Sequence, residues 1–249
     1  MTMRLFFLLY IGASCAFGVV TVTPMEIGDQ KGLHGNSALS FETKRGNTTR
    51  DNYKASAKLF YDDAKEYVAW SEISIEYGAT NFLEDTNKYY LHSRYIRAIT
   101  KEAVRSEIFF QTQEDKFRLI QNRTLLGGGA RFKIFEIFKD AQGYFGIGGF
   151  YEYMTYSNSS PVENNLRLNS YFTYTMKFQE DSTFTYSFLM QPKIDDFSDM
   201  IDSHKLSLEI PVYKKLYLNF QVIYEGDTKP VANVEIYDFS QTTSFMYKF

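Results

Sequence analysis

Apolar side chains recur at every second position along most of this chain, and no other feature limits its folding more. "NYKASAKLFY" sets Tyr53, Ala55, Ala57, Leu59 and Tyr61 against Lys54, Ser56 and Lys58. "LRLNSYFTYTMKF" sets Leu166, Leu168, Phe172, Tyr174, Met176 and Phe178 against Arg167, Asn169, Thr173 and Lys177. A period of two marks a strand with one oily and one polar face, and the i, i+3, i+4 period of a helix fits these segments less well. Comparable segments start near Leu39, Tyr67, Tyr89, Val104, Leu126, Phe184, Leu206, Leu216 and Val234, with turn residues between them. "YFGIGGFYEYMTY" is apolar almost throughout, so its facing stays open. The set amounts to about twelve strands, most near the roughly 9–11 residues that cross a bilayer at a tilt.

The last strand discriminates between a soluble core and lipid. In "QTTSFMYKF" the aromatics Phe245, Tyr247 and Phe249 alternate up to the final carboxylate, whereas the termini of soluble domains are usually polar and frayed. Aromatics make up 18% of the chain, an enrichment typical of strands and membrane interfaces. A mean hydropathy of -0.32 argues against a bundle of membrane helices, but a barrel with a polar lumen averages out hydrophilic. The net charge of -3 offers no basic face for nucleic acid.

The connectors fit a membrane barrel. "DDAKE", "RAITKEA", "FKDAQG", "QEDS" and "PVYKK" read as short periplasmic turns. "GATNFLEDTN", "EDKFRLIQ", "SNSSPVENN", "PKIDDFSDMIDS" and "EGDTKPVAN" read as longer outer loops, the asymmetry expected of such barrels. The expectation is an all-β fold, a transmembrane antiparallel up-and-down β-barrel of about 12 strands, in which the last strand pairs with the first and abolishes the edge.

The chain opens with an address. Arg4, the apolar "LFFLLYI" and the small residues of "GASCA" form a secretory signal, too short for a membrane anchor. Residues 1–18 are assigned to it, with cleavage after Ala16 or Gly18. Cys15, the one cysteine, reads either as a lipidated N-terminus or as a small residue lost with the signal. Residues 19–249 form a single barrel domain with a short N-terminal periplasmic lead.

Three stretches resemble a known family. "ALSFETKRGNTTRDNYKASAKLFYD", with its Gly46-Asn47-Thr48 turn, is similar to the opening hairpin of the YdiY-like, salt-induced outer-membrane proteins. "FRLIQNRTLLGGGARFKIF" is similar to their central arginine, leucine and glycine strand, and "YLHSRYIRAIT" to their tyrosine-rich strand. The alternating aromatics that end at Phe249 look like the C-terminal signal read by the bacterial barrel assembly machinery. The resemblance implies a fold and a location in the bacterial outer membrane. It implies no catalytic residue.

Candidate chemistry is sparse. Gly127 to Gly129 lack the Lys-Ser/Thr end and the helix of a phosphate loop, and read instead as a bend or a close approach by a lumen residue. His34, His92 and His204 have no zinc spacing. His92 with Glu107 on the next strand is either an acid–base pair of a barrel enzyme or a polar lumen contact. Asp195, Asp196, Asp199 and Asp202 lack the calcium-loop pattern and read as a solvated outer loop. No catalytic, cofactor or metal site is assigned.

The polar face says more. Lys54, Lys58, Glu72, Arg94, Arg105, Glu107, Arg123, Arg131 and Arg167 are placed in the lumen, with Lys133, Lys177, Glu42, Glu76 and Glu209 beside them. Charges of both signs pair across neighbouring strands, giving a braced, partly closed interior. Expected partners are outer-membrane lipid and lipopolysaccharide, and the assembly machinery during biogenesis, for a monomer without enzymatic activity. Three function classes stay open: a barrel with a structural, envelope-stress or slow small-solute role; a barrel enzyme acting on lipid or peptide; and a soluble periplasmic barrel that binds an apolar ligand.

Overall fold

The computed structural model describes residues 20, 22–23, 25–44, 49–100, 103–135, 141–158, 160–178, 181–231 and 234–249. The signal segment, both cleavage positions, Cys15 and the Gly46-Asn47-Thr48 turn lie outside the described residues. Twelve strands follow one another: β1 (Gly32–Lys44), β2 (Arg50–Asp62), β3 (Tyr67–Thr80), β4 (Leu83–Ala98), β5 (Val104–Asp115), β6 (Ile120–Phe135), β7 (Ala141–Tyr156), β8 (Glu163–Phe178), β9 (Ser182–Pro192), β10 (Met200–Tyr213), β11 (Leu216–Asp227) and β12 (Tyr237–Lys248). Each pairs antiparallel with its sequence neighbours, and β12 returns to β1, so the sheet is a closed barrel. Both ends of the sheet lie at one rim, here called the terminal rim.

The alternation sets the facing. Leu39, Phe41, Leu59, Ile73, Ile75, Leu126, Ile147 and Leu166 all stand exposed on the outer wall. Tyrosines edge this apolar band. At the terminal rim the rings of Tyr61, Tyr67 and Tyr95 are 6.0 and 5.3 Å apart in sequence, and at the far rim Tyr224 and Tyr237 are 6.0 Å apart. Such girdles are where a ring with a polar tip meets both hydrocarbon and water.

β7, whose facing the sequence left open, buries Tyr144, Phe150, Glu152, Met154 and Tyr156 and exposes Phe145, Ile147, Tyr151 and Tyr153. Glycine makes this possible at two close approaches. A Cβ on Gly146 would lie 2.1 Å from the Tyr171 ring, and one on Gly127 would lie 2.5 Å from Phe150 Cβ.

Two expectations need correction. The strands run from 11 residues in β9 to 16 in β4, β6, β7 and β8, longer than a tilted crossing requires. Backbone pairing does not depend on apolar side chains, so the ladder continues beyond the oily band. The outer loops shorten accordingly. "GATNFLEDTN" contributes only a two-residue turn between β3 and β4, with Asn81 and Phe82 at φ 50 and 66, the positive values a twisted hairpin needs. "EDKFRLIQ" shrinks to one 3-10 turn over Lys116–Arg118, capped by the Asp115 carboxylate.

Candidate functional site: a lumen divided lengthwise

All nine charges placed in the lumen by their alternation point inward, and they separate into two populations. Between β4 and β8 the interior is filled. Arg94 donates to Glu107 at 2.9 Å, and Tyr171 donates to the same carboxylate at 2.9 Å. Glu152 receives Arg123 at 2.6 Å, Arg167 at 2.8 Å and Asn165 at 3.0 Å. Arg167 continues to Asp199 at 2.8 Å, and Arg131 lies over the Tyr144 ring at 4.0 Å. Arginine suits such dry positions because its planar fork satisfies two acceptors and stacks on rings. A buried carboxylate between two guanidiniums is tolerable only with this many partners.

Apolar groups complete the filled side. Val68, Trp70, Ile96, Phe109, Leu125, Phe150 and Leu189 are buried inside the barrel. The sequence concealed them, because in "VAW", "IFF" and "TLL" apolar residues occupy both faces. His92 belongs to this core. It is 0% exposed, stacks on Trp70 at 4.6 Å between ring centroids and pairs with Gln111 at 3.0 Å. Glu107 reaches it only through Arg94, whose Nε is 3.5 Å from His92 Nε2. The two groups are therefore structural neighbours in a sealed network.

The lead does not stay outside. It enters the barrel from the terminal rim, contrary to its expected place in the periplasm. Val20 is 0% exposed and packs with Phe109, Leu125 and Phe150, while Val22 packs with Tyr171 and Leu189. Thr23 accepts from Arg131 through its carbonyl at 3.1 Å and from Lys58 through its hydroxyl at 2.6 Å. Glu26 meets Arg105 at 2.7 Å and Lys133 at 3.3 Å, and accepts from the Tyr144 hydroxyl. Asp62 holds the amides of Gly28 and Gln30 at 2.8 and 3.3 Å. Burial would raise the Glu26 carboxyl, but the Tyr144 and Arg105 hydrogen bonds and the nearby Lys133 and Arg105 charges outweigh it and hold it below its ordinary 4.5. Its one alternation, Val20 and Val22 against Thr21 and Thr23, is too short to reveal its destination.

The other side of the lumen is hollow. A cavity of about 780 Å³ runs along β1–β3 and β8–β12, from Lys214 and Lys215 at the terminal rim to Lys88 and Glu114 near the far rim. Its wall carries serines, threonines and lysines facing carboxylates, and no arginine among the described residues. Lys58 pairs with Glu72 at 2.9 Å, Lys54 with Glu76 at 3.7 Å and Lys248 with Glu209 at 2.7 Å. Lysine is a strongly hydrated point charge on a flexible stem, suited to a wet wall. Sequence reading missed Lys205, Glu225 and Glu152. Glu152 is the one charge in its apolar segment, a usable signal.

At the far rim the aspartates are engaged by cations. Asp196 meets Lys229 at 2.5 Å, Asp195 meets Lys193 at 4.0 Å, and Asp199 is held by Arg167. The Lys229 hydrogen bond, followed by that of Ser198, lowers the Asp196 carboxyl to about 2. Among the described residues no group of three or more His, Cys, Asp or Glu is placed to hold a metal ion.

Among the solved structures similar to the chain are three outer-membrane barrels. The translocator domain of the autotransporter NalP from Neisseria meningitidis matches with TM-score 0.51 at 9% identity, covering 89% of this chain and 90% of that one. The NanC porin matches with TM-score 0.48 at 13% identity, covering 87% and 97%. The KdgM porin matches with TM-score 0.45 at 10% identity, covering 87% and 99%. At 9% identity the likeness to the NalP translocator domain establishes the fold alone, a barrel of the outer-membrane type. No curated protein matches the chain by sequence. The pattern of one family covers residues 37–249, from within β1 to the last residue, and the chain accordingly belongs to DUF481, a family of proteins of unknown function.

Proposed function

We propose that this is a monomeric bacterial outer-membrane barrel that passes small polar solutes slowly, along the hollow side of its lumen, with the lead narrowing the way. One observation carries the reading: the cavity reaches from one rim toward the other beside a half-lumen that is filled by paired charges and rings. A wide pore would need that half cleared, and Arg123, Glu152 and Arg167 brace it instead. The signal over residues 1–18, the exposed apolar band and the terminal Phe245, Tyr247 and Phe249 support export, insertion by the assembly machinery and residence among outer-membrane lipid and lipopolysaccharide. The resemblance to the YdiY-like proteins supports an envelope role.

A role without catalysis draws on His92, which is enclosed by Trp70, Phe109 and Gln111 and has no opening toward the cavity. Swelling of proteoliposomes in small sugars, with lipase and protease assays on the same sample, tests the reading. Slow swelling without hydrolysis is expected. Hydrolytic activity, or an impermeable barrel, would overturn it.

A further inference from the structure

Not every charge on the cavity wall is held in an ion pair. Lys205 on β10 forms no ion pair among the described residues, although it lines the cavity. Glu225 on β11 also lines it, is only 5% exposed, and its Oε2 has no hydrogen-bond partner. Lys205 stands opposite Ile223 and Glu225 opposite Ser203. The two charges are thus diagonal neighbours on one wall, a spacing of about 7–8 Å between backbones. The positive charges of Arg118, Lys88 and Arg123 act on Glu225 and the Glu72 charge acts on Lys205, but the Glu225 Oε2 receives no hydrogen bond from any of them.

A lysine without an ion pair and a buried carboxylate oxygen without a hydrogen bond, a short step apart, have each given up water without a direct partner, a cost that a solute joining them removes. A simple anion or cation would satisfy one and strand the other. A solute that carries both an ammonium and a carboxylate satisfies both. Resting on the passage reading above, we propose that Lys205 and Glu225 form a binding station for zwitterionic solutes of amino-acid or short-peptide type, the carboxylate on Lys205 and the ammonium on Glu225. The charge balance of the remaining wall agrees, because it favours neither sign.

The probe is alanyl-alanine, compared with its N-acetyl form, which is only an anion, and its C-terminal amide, which is only a cation. Binding to the refolded barrel in detergent is measured by calorimetry, and passage by proteoliposome swelling. The dipeptide should bind roughly tenfold more tightly than either analogue, the size of one charged hydrogen bond. Lys205→Gln should reduce it to the level of the amide, and Glu225→Gln to that of the N-acetyl form. Equal binding of all three probes to the native barrel, which requires no variant to fold, would overturn the station. So would unchanged preference in both variants, each first checked for heat-modifiable migration. The two readings fail separately. Selective binding without swelling leaves the station and removes the passage, whereas swelling that is equal for all three, with equal binding, leaves the passage and removes the station.

Discussion

Gly35 and Phe249 hydrogen-bond to each other twice, the Gly35 amide to the Phe249 carbonyl at 3.0 Å and the Phe249 amide to the Gly35 carbonyl at 2.9 Å. The first strand is locked there to the last residue of the chain. The seam is short: β1 pairs with β12 from Asn36↔Lys248 to Leu39↔Phe245, but with β2 along its whole length. A Cβ at Gly35 would lie 2.6 Å from the Lys58 carbonyl oxygen and 2.9 Å from the Phe249 ring. Gly35→Val should therefore impair closure, read as loss of heat-modifiable migration. A normally folded fraction would show that the seam tolerates a side chain.

Phe249 itself should matter more for insertion than for the stability of the finished barrel. Its ring is about half exposed, so its burial contributes at most about 1.5–3 kcal/mol. The unfolded chain, however, must present Phe245, Tyr247 and Phe249 before any sheet exists. Deleting Phe249 should leave degraded or unassembled protein in cells, while the same variant refolds into micelles. Normal amounts in the outer membrane would refute this.

Adjacent positions on β11 test the facing. Leu218 lies on the outer wall in register with Ile210 and Phe245, whereas Asn219 lines the cavity. Leu218→Arg should be destabilising, by less than the roughly 2–4 kcal/mol of a midplane charge because Leu218 lies near the terminal rim, and Asn219→Arg should cost far less because the lumen is wet. Urea titration of barrels folded in lipid vesicles measures the difference, and equal costs would invert the facing.

Removing the Glu152 carboxylate takes the shared acceptor from two buried guanidiniums, Arg123 and Arg167, of which Arg167 keeps Asp199. Glu152→Ala should destabilise the barrel by about 3–5 kcal/mol in the same titration, and pairing it with Arg123→Met should recover part of the loss. If the double variant is no better than the single one, the carboxylate is not what holds the filled side together.

The strands and their facing were legible because lipid imposes a period of two on every crossing. Lys54, Arg94 and Arg167 could be placed inward for the same reason. The partners of these charges could not, since Glu107 meets Arg94 through the register of β4 on β5, and Glu152 meets Arg167 through that of β7 on β8. Phe109 and Leu125 escaped notice because apolar residues on both faces erase the alternation. Loop lengths were overestimated where polar sequence stays in the ladder, as beside Asn81. The lead escaped for a simpler reason: one brief alternation of Val20 and Val22 with Thr21 and Thr23 carries no sign of whether the segment lies outside the barrel or in it.

The seat of the lead should depend on pH. The Glu26 carboxyl is held below its ordinary 4.5, so the ionised form is the one that the folded barrel favours. That stabilisation is complete at neutral pH, above the value in the unfolded chain, and fades as pH falls through the lowered value. The lead should resist proteolysis at pH 7 and become cleavable only in acid below the ordinary glutamate range. Glu26→Gln should weaken protection at pH 7 and remove the acid transition. An unchanged transition in that variant would assign it to another group.

Single-channel conductance in planar bilayers, native barrel against a variant lacking residues 20–30, bears on the divided lumen most directly. Val20, Thr23 and Glu26 occupy space that ions would otherwise cross, so the native barrel should give small steps and the shortened one steps severalfold larger. Equal conductance in both would contradict the lead as the element that narrows this lumen.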